Sequence, residues 1–393
     1  MTPDTLSTRS ARPLPVTLST PGSVWSTWRA RLRTLVKVVI INAVILLAML
    51  IPVELVFGTW IRPMGFTDLK RFSIPIKTVF EFDASTLYTG GPRNPILYSR
   101  DEWGFRGTYK HVREVDVLTI GGSTTDQRYL DDLATWQAVA ERELRQKGRP
   151  LVIANAGVDG QSTVGHDFNF RYWFPLMPEL RPRIMLFYLG VNDVIRHEER
   201  VDSDARVDAR SWQTKSALYL LRRTIRENLR ARRARVWHER VPRLSPEDFT
   251  EQGLLSPEQR AEVSSNVTKI FLSNVEGLRR HTVAAGAAPI FVTQTAYGWS
   301  GGGNTPRGVK ETVRIYGYTV NYSDVAFLHQ HMNRGLVDYC AQNRVTCFDM
   351  ANDVTFEADD YYDYVHNTPQ GAEKVGRYVA EKLATLDLAS LGR

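Results

Sequence analysis

The chain has 393 residues, 43% of them hydrophobic, and a formal net charge of +7 at pH 7. This length and an ordinary apolar content suffice for one sizeable α/β domain with appendages, and no internal repeat indicates a solenoid or propeller. No cluster of cysteines and histidines has the spacing of metal ligands, so the sequence predicts neither a metal site nor a cofactor.

A polar N-terminal segment precedes a long apolar span. Residues 1–30 are rich in Ser, Thr and Pro, which predicts a disordered N-terminus over residues 1–34. Residues 35–57 are long and apolar enough for a helix that crosses a hydrocarbon core of about 30 Å. The length disfavours a buried core helix, and the absence of an obvious small-x-small cleavage site disfavours a cleaved signal sequence. We therefore predict a transmembrane helix over residues 35–57.

The charges beside this span predict its orientation. Asp4 is the single acid before the apolar centre, whereas the basic residues there are Arg9, Arg12, Arg29, Arg31, Arg33 and Lys37. The positive-inside rule therefore places the N-terminus in the cytoplasm and everything after about Gly58 outside, in the periplasm if the source is bacterial. Residues 58–97 then form a linker into the main domain. Nucleic acid is not an expected partner, because this exported domain has no recognised nucleic-acid-binding module.

Residues 98–393 show the alternation of a doubly wound α/β domain. Apolar runs at residues 115–120, 151–154, 184–189, 289–293 and 345–349 alternate with helical stretches at 134–146, 264–284, 324–342 and 369–386. This pattern predicts a flavodoxin-like parallel sheet of five strands with helices on both faces, a three-layer α/β/α arrangement.

Ser123 follows the first of these apolar runs in the sequence V-L-T-I-G-G-S. Glycines directly after a buried strand let the backbone turn sharply, so Ser123 is expected at the carboxyl edge of the sheet, where ligands bind. Taken alone the pattern is weak, since helix N-caps and phosphate-binding loops use the same residue types.

Three further polar segments follow later parts of the same alternation. Residues 151–154 lead into N-A-G-V-D-G-Q-S, which contains Gly160, and residues 184–189 lead into G-V-N-D, which contains Asn192. Near the C-terminus, D-Y-V-H supplies Asp363 and His366. The alternative for each segment alone is a turn, a loop start or a surface histidine before a helix. In combination, the segments predict a catalytic site at one edge of the sheet.

These segments resemble the blocks of the SGNH (GDSL-type) hydrolase family, which supply Ser, Gly, Asn and His in this order. The resemblance covers roughly Tyr98 to Leu386 and includes W-G-F-R at residues 103–106, which similar bacterial members carry before the first strand. It departs at two positions, because Gly122 stands where the family usually has Asp, and Asn367 where Pro is frequent. The first departure affects how the nucleophile turn is held.

The resemblance implies a serine esterase mechanism. Ser123 would be the nucleophile and His366 the base, because a neutral imidazole must remove the serine proton as the hydroxyl attacks an ester carbonyl. Asp363 would hold the other ring nitrogen and so orient the imidazole. The backbone N–H groups of Ser123 and Gly160, with the side-chain amide of Asn192, would form the oxyanion hole.

A long insertion at residues 196–262 separates the third and fourth strands. Leucines and isoleucines at helical spacing within it alternate with seven arginines, which are Arg222, Arg223, Arg226, Arg230, Arg232, Arg233 and Arg235. The pattern predicts a basic amphipathic helix. This helix either docks on the core as a solvated element or contacts an anionic partner, such as lipid headgroups or an acidic polysaccharide.

Two further features leave alternatives open. The segment Ala296–Asn321 follows the fourth strand and contains Tyr297 and Trp299, whose rings are candidates for stacking on a sugar, although a flexible loop without a ligand fits equally well. Cys340 and Cys347 are the only cysteines, and they either form a disulfide in an oxidising compartment or remain separate thiols.

Three functions remain open at this point. The first is an ester hydrolase that removes acyl groups, above all O-acetyl groups, from an extracytoplasmic glycan. The second is an O-acyltransferase on envelope or exported polysaccharide that uses the same serine, with a sugar hydroxyl in place of water. The third is a non-catalytic glycan-binding module, against which the complete set of Ser, Gly, Asn and His argues. Phospholipid and thioester substrates also stay open.

Overall fold

The computed structural model of the chain describes residues 21–61, 65–69, 74–195, 244–300 and 306–387, together with a few residues between 212 and 240. The chain divides after Ile61 into two compact units. The predicted basic helix of the insertion falls largely outside the described residues, as do residues 301–305 of the segment Ala296–Asn321.

The N-terminal unit is a single long helix, α1 (Pro21–Phe57). Within its part from Arg31 to Phe57, the most apolar stretch of 18 residues has a mean hydropathy of 2.6 and is not buried, so this part is a candidate membrane span or signal sequence by length and composition. At its end, the indole N–H of Trp60 donates to Glu54 Oε2 at 2.9 Å.

The second unit holds the α/β domain. In chain order its strands are β1 (Thr78–Phe82), β2 (Ile96–Arg100), β3 (Val117–Gly121), β4 (Ile153–Asn155), β5 (Ile184–Tyr188), β6 (Phe249–Thr250), β7 (Ala288–Val292), β8 (Trp299–Ser300), β9 (Arg307–Val309), β10 (Thr312–Ile315), β11 (Tyr318–Asn321) and β12 (Thr346–Phe348). Its helices are α2 (Phe66–Leu69), α3 (Ser123–Asp126), α4 (Trp136–Gln146), α5 (Thr163–Phe168), α6 (Val191–Val194), α7 (Trp212–Lys215), α8 (Pro257–Ala284), α9 (Tyr322–Asn343), α10 (Met350–Asp353) and α11 (Pro369–Ala384).

Five parallel strands form the central sheet in the order β4-β3-β5-β7-β12. Counted along the chain, this is the 2-1-3-4-5 order of flavodoxin-like folds, so the predicted fold class is confirmed. The antiparallel pair β1–β2 lies within the stretch predicted to be a linker and its junction with the domain. Short antiparallel pairings also form within the loop between β7 and α9.

Helices cover both faces of the sheet. In β5, Met185 and Phe187 pack on one side with residues of α8 and α9, whereas Ile184 and Leu186 pack on the other with residues of α4 and α11. Side chains alternate along a strand, so a strand that is apolar at every position supplies both cores. The apolar runs of the sequence therefore correspond to strands buried on both sides.

Helix α8 begins seven residues earlier than the sequence pattern predicts. The hydroxyl of Ser256 accepts from the Gln259 N–H at 3.2 Å, and the Gln259 side chain accepts from the Ser256 N–H at 2.9 Å. This reciprocal cap, with Pro257 at the first helical position, starts the helix within the predicted insertion.

The two cysteines meet at the end of α9. Cys340 and Cys347 form a disulfide with their Cα atoms 6.0 Å apart, which resolves the alternative that the sequence leaves open. The bridge joins the last turns of α9 to the edge strand β12.

Candidate active site

The nucleophile turn joins β3 to α3. A Cβ atom on Gly121 would lie 2.1 Å from Thr125 Oγ1 and 2.5 Å from the Tyr188 carbonyl oxygen, so only glycine fits there. Gly122 is the N-cap of α3 and Ser123 its first residue. The first N–H groups of a helix have no intrahelical acceptor, so the Ser123 N–H is free of the helical ladder. Ser123 is half-buried at the carboxyl edge of the sheet.

Three side chains form a continuous hydrogen-bonded chain. Ser123 Oγ lies 2.7 Å from His366 Nε2, although the two residues are 243 positions apart in the sequence. His366 Nδ1 lies 2.7 Å from Asp363 Oδ2 and 2.9 Å from Oδ1. Asp363 Oδ1 also accepts the backbone N–H of Val365 at 2.9 Å and that of His366 at 2.8 Å, which fixes the carboxylate beneath the ring.

The electrostatic setting of His366 follows from this geometry. Burial alone would lower the pKa of His366, but the Asp363 carboxylate outweighs it through charge and hydrogen bonding, so the pKa is raised above its ordinary value. Because Asp363 accepts the proton on Nδ1, Nε2 is the nitrogen that faces Ser123 Oγ and can accept the serine proton.

Two neighbouring turns carry the remaining groups of the predicted oxyanion hole. Gly160 has a φ of +75°, a left-handed conformation that favours glycine. Asn192 follows β5 and its Nδ2 donates to the Gln161 carbonyl at 2.8 Å, which leaves its second N–H for another acceptor. Asp193 Oδ1 accepts from the Thr163 N–H at 3.2 Å, so the two turns are tied together.

Gln294 links three segments of the site and was not singled out by the sequence analysis. Its Nε2 donates to Thr124 Oγ1 at 2.9 Å and to the Tyr188 carbonyl at 3.1 Å, and its Oε1 accepts the Val191 N–H at 2.7 Å. The residue is 3% exposed. Its position just past β7 was the only sequence signal that could have indicated this role.

A buried ion pair lies next to the turn that carries Ser123. Arg100 and Asp126, whose side chains are 0% and 1% exposed, are joined at 2.5 Å, and Arg100 also donates to the Gly157 carbonyl at 2.6 Å. Burial would raise the pKa of Asp126, but Arg100, Arg128 and Arg106 outweigh it and lower that pKa. Arg106, from the W-G-F-R segment, donates to the carbonyls that follow the nucleophile helix.

The two aromatic residues predicted to bind a sugar have different settings. Tyr297 is half-buried and lines both of the cavities described below. Trp299 is only 2% exposed, its ring stacks on Tyr322 with centroids 5.4 Å apart, and its indole N–H donates to His329 Nδ1 at 3.0 Å. Trp299 also lines the larger of the two cavities, so its contact with a sugar stays a prediction.

Two cavities lie beside the catalytic residues. The larger, of about 560 Å³, is lined by residues that follow β7 and β12 and includes Gln294 and Tyr361. The smaller, of about 300 Å³, includes Asp363 and Tyr362. Both share Tyr297 and Tyr361. Among the described residues, no group of three or more His, Cys, Asp or Glu is arranged to hold a metal ion.

A serine, a buried histidine and a carboxylate in hydrogen-bonded sequence, at the carboxyl edge of a flavodoxin-like sheet, define a serine hydrolase. The model of the GDSL-like Lipase/Acylhydrolase family matches residues 119–374, and the chain belongs to that family. It is a serine esterase.

The chain is also similar to several solved structures. One is a member of the lipolytic protein G-D-S-L family from Veillonella parvula, at 14% identity, covering 69% of this chain and 98% of that chain, with a TM-score of 0.39. Another is a GDSL-like lipase from Bacteroides thetaiotaomicron, at 13% identity, covering 70% and 90%, with a TM-score of 0.35. A third is an acetylxylan esterase from Geobacillus stearothermophilus, at 12% identity, covering 69% and 94%, with a TM-score of 0.37. None of the curated proteins compared with the chain matches it.

Proposed function

We propose that this esterase removes acyl groups, above all O-acetyl groups, from a glycan outside the cytoplasm. The chain of hydrogen bonds from Ser123 through His366 to Asp363 carries the hydrolytic part of the proposal. The cavity lined by tyrosines and amides beside it supports a saccharide as the acylated molecule.

The reaction has two halves. His366 Nε2 takes the hydroxyl proton as Ser123 Oγ attacks the ester carbonyl, and the oxyanion is stabilised by backbone N–H groups and the Asn192 amide. The tetrahedral intermediate collapses, the imidazolium returns the proton to the leaving sugar oxygen, and an acyl-serine remains. Water, deprotonated by the same imidazole, then attacks the acyl-serine and releases the carboxylic acid and the free serine.

The lining of the larger cavity favours a sugar over a lipid chain. It presents the amide side chains of Asn333 and Asn352 beside the rings of Tyr297, Tyr361 and Phe356. Rings supply flat apolar surfaces and amides supply paired donors and acceptors, and saccharides display both kinds of partner. The volume of about 560 Å³ falls in the usual range of small-molecule sites.

The candidate span of α1 supports a location at the membrane. The basic residues before it and the single acid Asp4 favour a cytoplasmic N-terminus, so the catalytic unit would lie outside. A C-terminal fusion to a reporter that is active only after export should therefore be active. Activity of a reporter that works only in the cytoplasm would refute this orientation.

The full-length chain in detergent micelles, given acetylated glycans and aryl acetates, tests the function. We expect acetate release by the wild type and none by Ser123→Ala or His366→Ala, with an organophosphate labelling Ser123 alone. Activity that survives Ser123→Ala, or label on another serine, would refute the assignment. Adding a free sugar acceptor separates hydrolysis from transfer, since transfer would convert acetate release into acetylated acceptor.

A further inference from the structure

The larger cavity is separate from the nucleophile but adjacent to it. Neither Ser123 nor His366 lines it, whereas Gln294 does, and Gln294 is hydrogen-bonded to Thr124, the residue after the nucleophile. Tyr361, another lining residue, precedes Asp363 by two positions. The cavity therefore lies next to the site of chemistry without containing it.

A pair of tyrosines joins this cavity to the smaller one. Tyr297 and Tyr361 stack with ring centroids 6.0 Å apart and an angle of 16° between their planes. Both tyrosines, together with Ala358, line both cavities, and the smaller cavity includes Asp363. The two cavities are therefore neighbours. Together they extend from Asp363 to the residues that follow β7 and β12. A surface of this extent can accommodate a chain longer than one sugar unit.

The charged side chains that line the larger cavity carry a net positive charge. Arg307 and Arg334 line it with Glu357, so cations outnumber acids among its described lining residues. Arg307 is anchored, because its Nη2 donates to the Pro246 carbonyl at 2.5 Å and its guanidinium lies over the Phe249 ring, 4.9 Å from the centroid. Arg334 is exposed, and within the described part of the chain no acid lies at ion-pair distance from it. Its planar guanidinium can therefore receive a carboxylate in bidentate geometry.

His329, the one histidine among the described lining residues of the larger cavity, does not add to this charge. Burial lowers the pKa of His329 to about 4, and its Nδ1 accepts the indole N–H of Trp299. It stays neutral at ordinary pH, so the positive charge comes from the arginines alone.

We propose that the larger cavity binds an acidic sugar unit of the glycan, at a position along the chain away from the acylated unit. Arg334 pairs with the sugar carboxylate, and Tyr297, which is half-buried and lines both cavities, contacts the sugar rings between this unit and the ester. The inference rests on the proposed function for its substrate, but it concerns binding and not bond cleavage. It makes the enzyme selective for acylated acidic polysaccharide over neutral polysaccharide and small esters.

Binding to an inactive enzyme tests this without turnover. Full-length Ser123→Ala protein in detergent micelles would be titrated calorimetrically with a hexamer of galacturonate and, separately, with a neutral hexamer of galactose. We expect Ser123→Ala protein to bind the acidic hexamer at least about tenfold more tightly than the neutral one. Introducing Arg334→Gln into this variant should weaken its affinity for the acidic hexamer about tenfold, the usual effect of losing a charge-assisted hydrogen bond. The acidic hexamer should bind more weakly at high salt, because its charged contact lies at an exposed arginine.

Arg280→Gln in the same background is the matched control. Its side chain is 70% exposed, it lies on α8, and it is not part of the cavity lining, so its loss should leave hexamer affinity unchanged. Equal affinity for the two hexamers, binding of neither, or equal effects of the two arginine substitutions would overturn the acidic-sugar site. Aryl acetate hydrolysis by the wild type reports on the esterase separately, so either proposal can fail while the other stands.

Discussion

The side-chain amide of Asn192 occupies the space in which a Cβ atom on Gly122 would lie. An ideal Cβ on Gly122 would be 2.2 Å from Asn192 Nδ2 and 3.0 Å from the Gln161 carbonyl oxygen. The same Nδ2 donates to that carbonyl at 2.8 Å. The absence of a side chain at position 122, where the family to which the sequence is similar usually has Asp, therefore lets the Asn192 amide, the predicted oxyanion donor, lie directly against the turn that carries Ser123.

Gly122→Ala should impair catalysis more than stability. The new methyl group must displace the Asn192 amide, which is the far end of a flexible side chain and can turn away at little cost to folding. Loss of one oxyanion donor typically lowers kcat about 100- to 1000-fold, and we expect Gly122→Ala and Asn192→Ala to have similar effects. Aryl acetate kinetics and thermal unfolding of each variant measure the two consequences.

Gly277→Ala is the matched control for this prediction. Gly277 lies inside α8, and a Cβ there meets nothing within 4 Å, so alanine should keep full activity and slightly stabilise the helix. Wild-type kcat in Gly122→Ala would show that the amide of Asn192 does not act from its present position.

The pH dependence of kcat/KM should report on His366. The base must be neutral to take the serine proton, and its pKa is raised, so activity should fall as the pH drops through a value above the ordinary 6.5. In Asp363→Asn the raising charge is gone while burial remains, so this acid limb should move to lower pH. The rate itself should fall by up to about 10⁴-fold, because the ring loses its orienting partner. Asp359→Asn, a nearby exposed acid, should shift nothing, and an unmoved limb in Asp363→Asn would contradict the assignment.

Gln294 should act as a positioning residue for the nucleophile and oxyanion turns. Gln294→Leu keeps the side-chain volume but removes the links to Thr124, Tyr188 and Val191. A small misplacement of catalytic groups costs about 10- to 100-fold in rate, so we expect that loss in kcat with little change in KM for an aryl acetate. Gln342→Leu, on the exposed side of α9, is the control. If Gln294→Leu lowers thermal stability but leaves kcat unchanged, Gln294 contributes to packing only and does not position the catalytic groups.

Asp126→Asn should destabilise the domain. It leaves the fully buried Arg100 without its counter-charge, and breaking such a pair costs about 3–5 kcal/mol. The pKa of Asp126 is lowered by folding, so its ionic contribution is present above its unfolded pKa and is lost as the pH falls through the folded value. The variant should therefore show less stability at neutral pH and a weaker loss on acidification. Glu373→Gln, in exposed ion pairs with Arg377 and Arg142, should change the free energy of unfolding by about 0–1 kcal/mol.

The strands and the main helices could be predicted from local patterns. Residues 184–189 are apolar at every position, which indicates a strand buried on both faces, and β5 falls within them. Residues 115–120 are mostly apolar, and β3 overlaps them from Val117 onward. The exact ends of the strands were less predictable. The apolar run begins at residue 151, but β4 begins at Ile153, because its pairing with β3 starts there. The start of α8 was missed because a cap at Ser256, outside the apolar periodicity, sets it.

The sequence by itself determined which segments supply the groups of the candidate site, because Ser123, Gly160, Asn192 and His366 each stand in a short polar segment with turn-forming residues beside an apolar run or a helix. Only the tertiary structure decided how they are held. Gln294, Arg100 and the closeness of Asn192 to Gly122 arise from contacts between segments far apart in the chain, and no local periodicity encodes such contacts. The same limit explains Trp299, whose loop position indicated exposure while packing against Tyr322 buries it.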